Sequence, residues 1–364
     1  MKSSVTATYG PGPVSALHQD YQRFLQANYR RPLHKVQAHP SSFRSPTVNT
    51  DAVGLRYSHF AGKRYSAVER GNPPRVNLLI GGSAAMGIGA SCDEHTVASH
   101  LCMLTGEIWL NLAGCGLNAS QELLLFLTHQ HRLGEVGHVV LLSGLNSLAH
   151  EALDEVLASP SAPPLTLLHQ AYLNSFHEGT PPAAPARRAP LWQRLGQALA
   201  TPRDEHAGNW QLSAPDKRLA RAADSIGRTL RQWEQVLADS HATLTFILQP
   251  LLPWCRETLP IGEQKMMPAL QRQPGNFERL LEGVLDSQLH MAFFRRIKRQ
   301  AEPVPCYDMN SMLSSSAAFG ADQFVDRLHL NDLGNNALAK VITAKLGLAQ
   351  ERHAPHKITP INLA

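Results

Sequence analysis

The sequence is short of charge and of aromatic rings. Of its 364 residues 17% are Asp, Glu, Lys or Arg and 6% are aromatic, against 43% that are hydrophobic. That balance excludes a disordered chain and supplies a core for one large domain or two of ordinary size. No apolar run approaches the roughly 18 residues of a membrane-spanning helix, which excludes a membrane span. Gly and Pro, 25 of each, stay near ordinary usage and leave collagen-like, solenoid and low-complexity readings without support. Cysteine is scarce too: Cys92, Cys102, Cys115, Cys255 and Cys306 are five, an odd number with no Cys-x-x-Cys pair. A disulfide framework or a zinc site therefore fits poorly, and reduced thiols fit well. The opening residues Met1 to Thr6 lack the apolar stretch of a secretory leader, so the expected location is cytoplasmic.

Charge is unevenly placed. Residues 1–75 hold eleven Lys and Arg against three acids, a balance of +8, which leaves −3 of the net +5 for the rest. Such a basic segment is either a solvated face or a dock for an acidic partner. No interleaved basic and aromatic module accompanies it, so nucleic acid is not an expected partner.

Residues 1–74 read as a basic extension, closed by Pro73 and Pro74. Alternation begins after it. Apolar runs at 76–80, 108–112, 138–142 and 243–248 read as buried strands, each stopped by Gly or Pro. A fifth short strand is expected near Phe324 and Val325. Helices are expected over 92–105, 119–132, about 148–157, 215–240 and from Asp332 to Leu346. Alternating strands and helices predict a parallel sheet covered on both faces, a three-layer α/β/α sandwich of flavodoxin-like type. The Pro-rich stretch 177–212 interrupts the pattern and reads as a lid, a binding loop or a linker. Residues 349–364 read as a tail.

In a doubly wound sheet, chemistry sits at the carboxyl ends of the strands. Four such ends carry suggestive residues. Ser83 follows the first strand after Gly81-Gly82; a serine there is exposed at the sheet rim, with its backbone N–H at a helix start. Asn111-Leu112-Ala113-Gly114-Cys115-Gly116 ends the second strand, and Gly144-Leu145-Asn146 ends the third. A glycine N–H and an asparagine amide are both good oxyanion donors. Near the C-terminus, Asp326 precedes His329 by three residues. A carboxylate so placed can hold the imidazole Nδ1–H and leave Nε2 to accept a serine proton. Singly, each of these is common in ordinary turns.

Together and in this order, they resemble the SGNH hydrolase superfamily, also called GDSL esterases and lipases. The resemblance covers roughly residues 75–348, interrupted at 177–212. It implies Ser83 as nucleophile, Ser83, Gly116 and Asn146 as the oxyanion hole, and Asp326 with His329 as the rest of the triad. His329-Leu330-Asn331-Asp332-Leu333-Gly334-Asn335 looks like the usual continuation of the last block, and Gln121-Glu122-Leu123 follows Gly116 as in many members. Two positions depart from the pattern: Gly82 stands where the eponymous motif has Asp, and Ser147 where the third block often has Asp.

Other chemistries find less support. There is no Gly-x-Ser-x-Gly elbow, no phosphate loop of the Gly-Lys-Ser/Thr type, and no third glycine after Gly87-Ile88-Gly89. His129, His131 and His138 lack carboxylate companions, so no metal and no cofactor is expected. The expected activity is serine-dependent hydrolysis of an ester or thioester through an acyl-enzyme. An acyltransferase using the same acyl-enzyme, with a carrier-protein or CoA thioester donor and an acidic carrier on the basic extension, stays open. So does a silent binding module.

Overall fold

The structure is a computed structural model. It describes residues 39–69, 71, 73–158, 212–264 and 280–348, with 20, 21, 23–25 and 27. The stretch 177–211 and the tail 349–364 lie outside the described residues.

Five strands form one parallel sheet: β3 (Val76–Gly81), β4 (Trp109–Ala113), β5 (Val136–Ser143), β6 (Thr243–Leu248) and β7 (Cys306–Asp308), in the order β4-β3-β5-β6-β7. The chain passes from one side of β3 to the other between β4 and β5, which makes the gap between the β3 and β5 ends the topological switch point. A small antiparallel hairpin, β1 (Ser58–Phe60) with β2 (Lys63–Tyr65), precedes the sheet. Its turn is Ala61-Gly62, both with positive φ.

Period-two patterning sends strand side chains to two separate cores. Val76, Leu78 and Ile80 of β3 join Val139 and Leu141 of β5 on one face. Leu79, Val140 and Leu142 point to the other. The first face is covered by α3 (Ala119–His129), α4 (Leu145–Ala158), α5 (Pro215–Leu237) and α7 (Ser287–Ala301). The second is covered by α1 (Ser83–Met86), α2 (Val97–Thr105), α8 (Met309–Ser314) and α9 (Asp332–Leu346), and α6 (Leu252–Cys255) follows β6. This is the expected three-layer α/β/α sandwich. Tyr21, Phe24, Leu25 and Val48 lie in the second core, so described parts of the basic extension pack on that face.

The helices end where local chemistry stops them. Thr96, Asn118 and Asn331 cap α2, α3 and α9 through their side chains, and Gly106 and Gly347 close α2 and α9 with positive φ. Asn118 and Gln121 form a reciprocal capping box, which is the local use of the Gln that follows Gly116.

One expected strand is corrected. The fifth strand is Cys306–Asp308, not Phe324 and Val325. Phe324 makes only an isolated antiparallel bridge with Leu330. That bridge closes a tight loop over residues 325–329, and loop closure rather than sheet pairing explains its apolar character. The expected helix over 92–105 is likewise divided, into a 3-10 turn at Asp93–His95 and α2.

Candidate active site

β3 ends at Gly81, where close strand packing leaves no room for a side chain: a Cβ would lie 2.0 Å from the Leu142 carbonyl oxygen. Gly82 is extended, and Ser83 opens the short helix α1. Gly87, with φ +90°, ends that helix. The carbonyls of α1 are held by Asn111, whose Nδ2 donates to Ala85 O at 3.0 Å. Thus a polar residue inside an apolar strand ties down the short helix that Ser83 opens.

His329 comes to Ser83 from 246 positions away: Nε2 lies 2.8 Å from Ser83 Oγ. Its Nδ1 lies 2.7 Å from Asp326 Oδ2. Asp326 Oδ1 accepts the N–H groups of Leu328 at 2.7 Å and His329 at 2.8 Å, so the carboxylate folds the turn that carries its own partner. Burial works against the charge on Asp326, but His329 and these N–H donors prevail and hold its pKa below the usual range. With the carboxylate on Nδ1, the tautomer assigned to His329 carries its proton there and leaves Nε2 as acceptor. Ser83 and His329 are almost wholly buried, and the Asp326 side chain is about a third exposed.

The loop around His329 is tied down at both ends. Val325 N–H donates to His329 O at 2.9 Å, and Asn331 N–H donates to Gln323 O at 2.9 Å. Glu263 Oε1 accepts the N–H of Gln323 at 3.0 Å and of Phe324 at 3.3 Å. Beyond it, Asp332 accepts Ser91 N–H at 2.7 Å and Ser91 Oγ–H at 2.5 Å, joining the start of α9 to the segment after α1.

Gly116 and Asn146 approach the same rim. Gly116 has φ +79°, a conformation that favours glycine. Asn146, at the start of α4, donates from Nδ2 to Leu117 O at 2.9 Å. The absent side chain at Gly82 makes room for this amide: a Cβ there would lie 2.4 Å from Asn146 Nδ2. One turn further along α4, His150 Nε2–H donates to Gly116 O at 3.1 Å while its Nδ1 accepts Asn118 Nδ2–H at 3.2 Å. Burial lowers the His150 pKa although the Gly116 carbonyl opposes it, in keeping with a neutral ring. Ser147 Oγ accepts Ala119 N–H at 3.3 Å, so the serine at the second departing position helps seat α3. Among the described residues, no hydrogen bond engages the backbone N–H of Ser83 or Gly116.

All five candidate residues thus gather at the carboxyl end of the sheet. Sequence reading overlooked the contacts of His150 and Asn111. His150 could have been found as the i+4 neighbour of Asn146, and Asn111 as a polar interruption of an apolar run. Cys115 is buried and its thiol is pushed up to about 12 by burial, which fits packing rather than nucleophilic use. Among the described residues, no group of three or more His, Cys, Asp or Glu could hold a metal. None of their helices is long and apolar enough to cross a membrane. Several basic residues of the first 75 are engaged within the molecule: Arg56 with Asp93, Arg64 with Glu69, and Arg75 with Glu107.

No protein-family profile and no curated protein matches the chain. Solved structures do. A Bacteroides fragilis protein described as an acylhydrolase is 12% identical over 76% of this chain and 88% of its own, with a TM-score of 0.39. A Veillonella parvula member of the lipolytic G-D-S-L family is 9% identical over 75% of this chain and 97% of its own, at 0.37. An extracellular lipase of Streptomyces rimosus is 10% identical over 74% of this chain and 99% of its own, at 0.34. The solved structures similar to this chain thus include GDSL-type esterases and lipases, all at low sequence identity.

Proposed function

We propose that the chain is a serine-dependent acyl hydrolase of the SGNH type, an esterase or thioesterase. The observation that carries this reading is the unbroken relay Ser83 Oγ, His329 Nε2, His329 Nδ1, Asp326 Oδ2, with links of 2.8 and 2.7 Å. Both lengths are those of good hydrogen bonds. His329 Nε2 takes the hydroxyl proton as Ser83 attacks the acyl carbonyl. The tetrahedral oxyanion is received by the N–H groups of Ser83 and Gly116 and by the Asn146 amide. Asp326 stays ionised and steadies the imidazolium. The intermediate then collapses, and the leaving alcohol or thiol departs with the proton from His329. Water, activated by the same imidazole, attacks the acyl-serine and frees the acid and Ser83. The five free cysteines favour a reducing, cytoplasmic setting.

The test is hydrolysis of short p-nitrophenyl esters and acyl thioesters by the full chain and by Ser83→Ala. The wild type is expected to release acid, and the variant to lose turnover while keeping its circular dichroism and melting temperature. Equal turnover in the two proteins would overturn the reading.

A further inference from the structure

We infer that residues 39–56, outside the stretch that resembles the hydrolase core, hold the oxyanion loop in place, with His39 as a positioning residue. The inference rests on Gly116 N–H being an oxyanion donor, as proposed above. His39 is fully buried, and its Nε2 accepts the Cys115 N–H at 3.2 Å. Cys115 lies between Gly114 and Gly116, so this bond fixes the peptide unit next to the one that carries Gly116 N–H. A loop with glycine on both sides has little stiffness of its own. One turn bond, Leu117 N–H to Gly114 O at 3.2 Å, lies within it, and Gly114 N–H donates to Gly81 O at 3.0 Å; its further restraints come from both sides. On one side stand His150, Asn146 and Ser147 of α4, bonded to Gly116 O, Leu117 O and Ala119 N–H. On the other stands His39.

The extension is built to set that ring. Gly54, with φ +87°, lies so close to His39 that a Cβ would be 2.1 Å from the His39 carbonyl oxygen. Asp51 Oδ1 accepts Val53 N–H and Leu55 N–H, both at 2.9 Å, and so shapes the turn that allows this approach. The Phe24 ring packs on the imidazole with centroids 4.8 Å apart. Two residues beyond Gly54, the buried Arg56 donates to Gly87 O at 2.8 Å and Met86 O at 3.3 Å, at the carboxyl end of the nucleophile helix. Its Nε pairs with Asp93 at 2.7 Å, which neutralises the buried charge. One segment therefore braces both walls of the site: the helix that presents Ser83 and the loop that presents Gly116. Oxyanion donors act through fixed placement, and a misplacement of about 1 Å can cost roughly 100-fold.

The test compares the full chain with His39→Phe and His39→Gln. Phe keeps a ring against Phe24 and removes the acceptor; Gln returns an acceptor near the place of Nε2. On a short p-nitrophenyl ester, His39→Phe is expected to lower kcat by about 10- to 100-fold with KM within about threefold, and His39→Gln to recover most of it. A folded His39→Phe protein with kcat within about twofold of wild type overturns the inference. So does a folded His39→Gln protein no better than the Phe variant. Should His39→Phe fail to fold, nitrogen-15 NMR of the wild type decides. An unprotonated Nε2 with scalar coupling to the Cys115 amide upholds the inference, and a proton on Nε2 overturns it. The NMR result does not depend on catalysis. Wild-type protein inert to esters, thioesters and fluorophosphonate would instead remove the proposed function.

Discussion

Gly82 has ordinary φ, so its importance is spatial: the Asn146 amide occupies the place a methyl group would take. Gly82→Ala is therefore expected to push that amide aside and lower kcat at least about tenfold, with a melting temperature near wild type. Steady-state kinetics beside a thermal melt checks this. Asn146→Ala removes the amide itself and should cost about 100- to 1000-fold in kcat, the usual loss for one oxyanion donor. An Asn146→Ala enzyme with undiminished turnover would remove Asn146 from the oxyanion hole. At this scale the sequence was legible wherever function follows from a short motif at a strand end. Ser83, Gly116, Asn146, Asp326 and His329 each stand two to three residues from an element boundary or from a partner. His39 and Arg56 were not legible, because their partners lie 76 and 31 positions away and nothing local marks the approach.

Elements were readable in proportion to their length and burial. β3, β4, β5 and β6 are largely buried apolar runs, so run length and Gly or Pro stops located them to within two residues. β7 is three residues of mixed character, Cys306, Tyr307 and Asp308, too short to carry a period. Its apolar competitor around Phe324 drew the assignment instead. The helix α7 went unread although Phe293 and Ile297 recur at helical spacing and are buried against the sheet. The helix α5 shows what such docking contributes. Trp233 is fully buried on it, with its ring 4.8 Å from that of Phe126 on α3. Trp233→Ala should cost about 3–5 kcal/mol of stability by leaving a cavity, seen as a lower urea midpoint. Turnover in the absence of denaturant should change little, since α5 supplies none of the candidate site residues.

For the whole molecule, stability should respond to pH through two carboxyls of opposite sign. Burial raises Glu122 to about 8, although the Ser143 hydroxyl opposes it with a 2.6 Å hydrogen bond. The folded chain therefore keeps this proton over a pH range in which the unfolded chain has lost it. Stability is fully present below the ordinary carboxylate pKa and falls as pH rises through about 8. Thermal melts from about pH 5 to about pH 9 should show this decline, and Glu122→Gln should flatten it. Asp326 behaves oppositely: its lowered pKa contributes stability that is present above the ordinary carboxylate pKa and lost as pH falls below it. The architecture brings a serine and a histidine 246 positions apart into one relay, and that meeting is the central claim. Reaction with a fluorophosphonate followed by peptide mapping tests it most directly. One phosphonyl adduct on Ser83, lost in His329→Ala, is the result expected. An unlabelled protein, an adduct on another residue, or labelling of Ser83 that survives His329→Ala would contradict it.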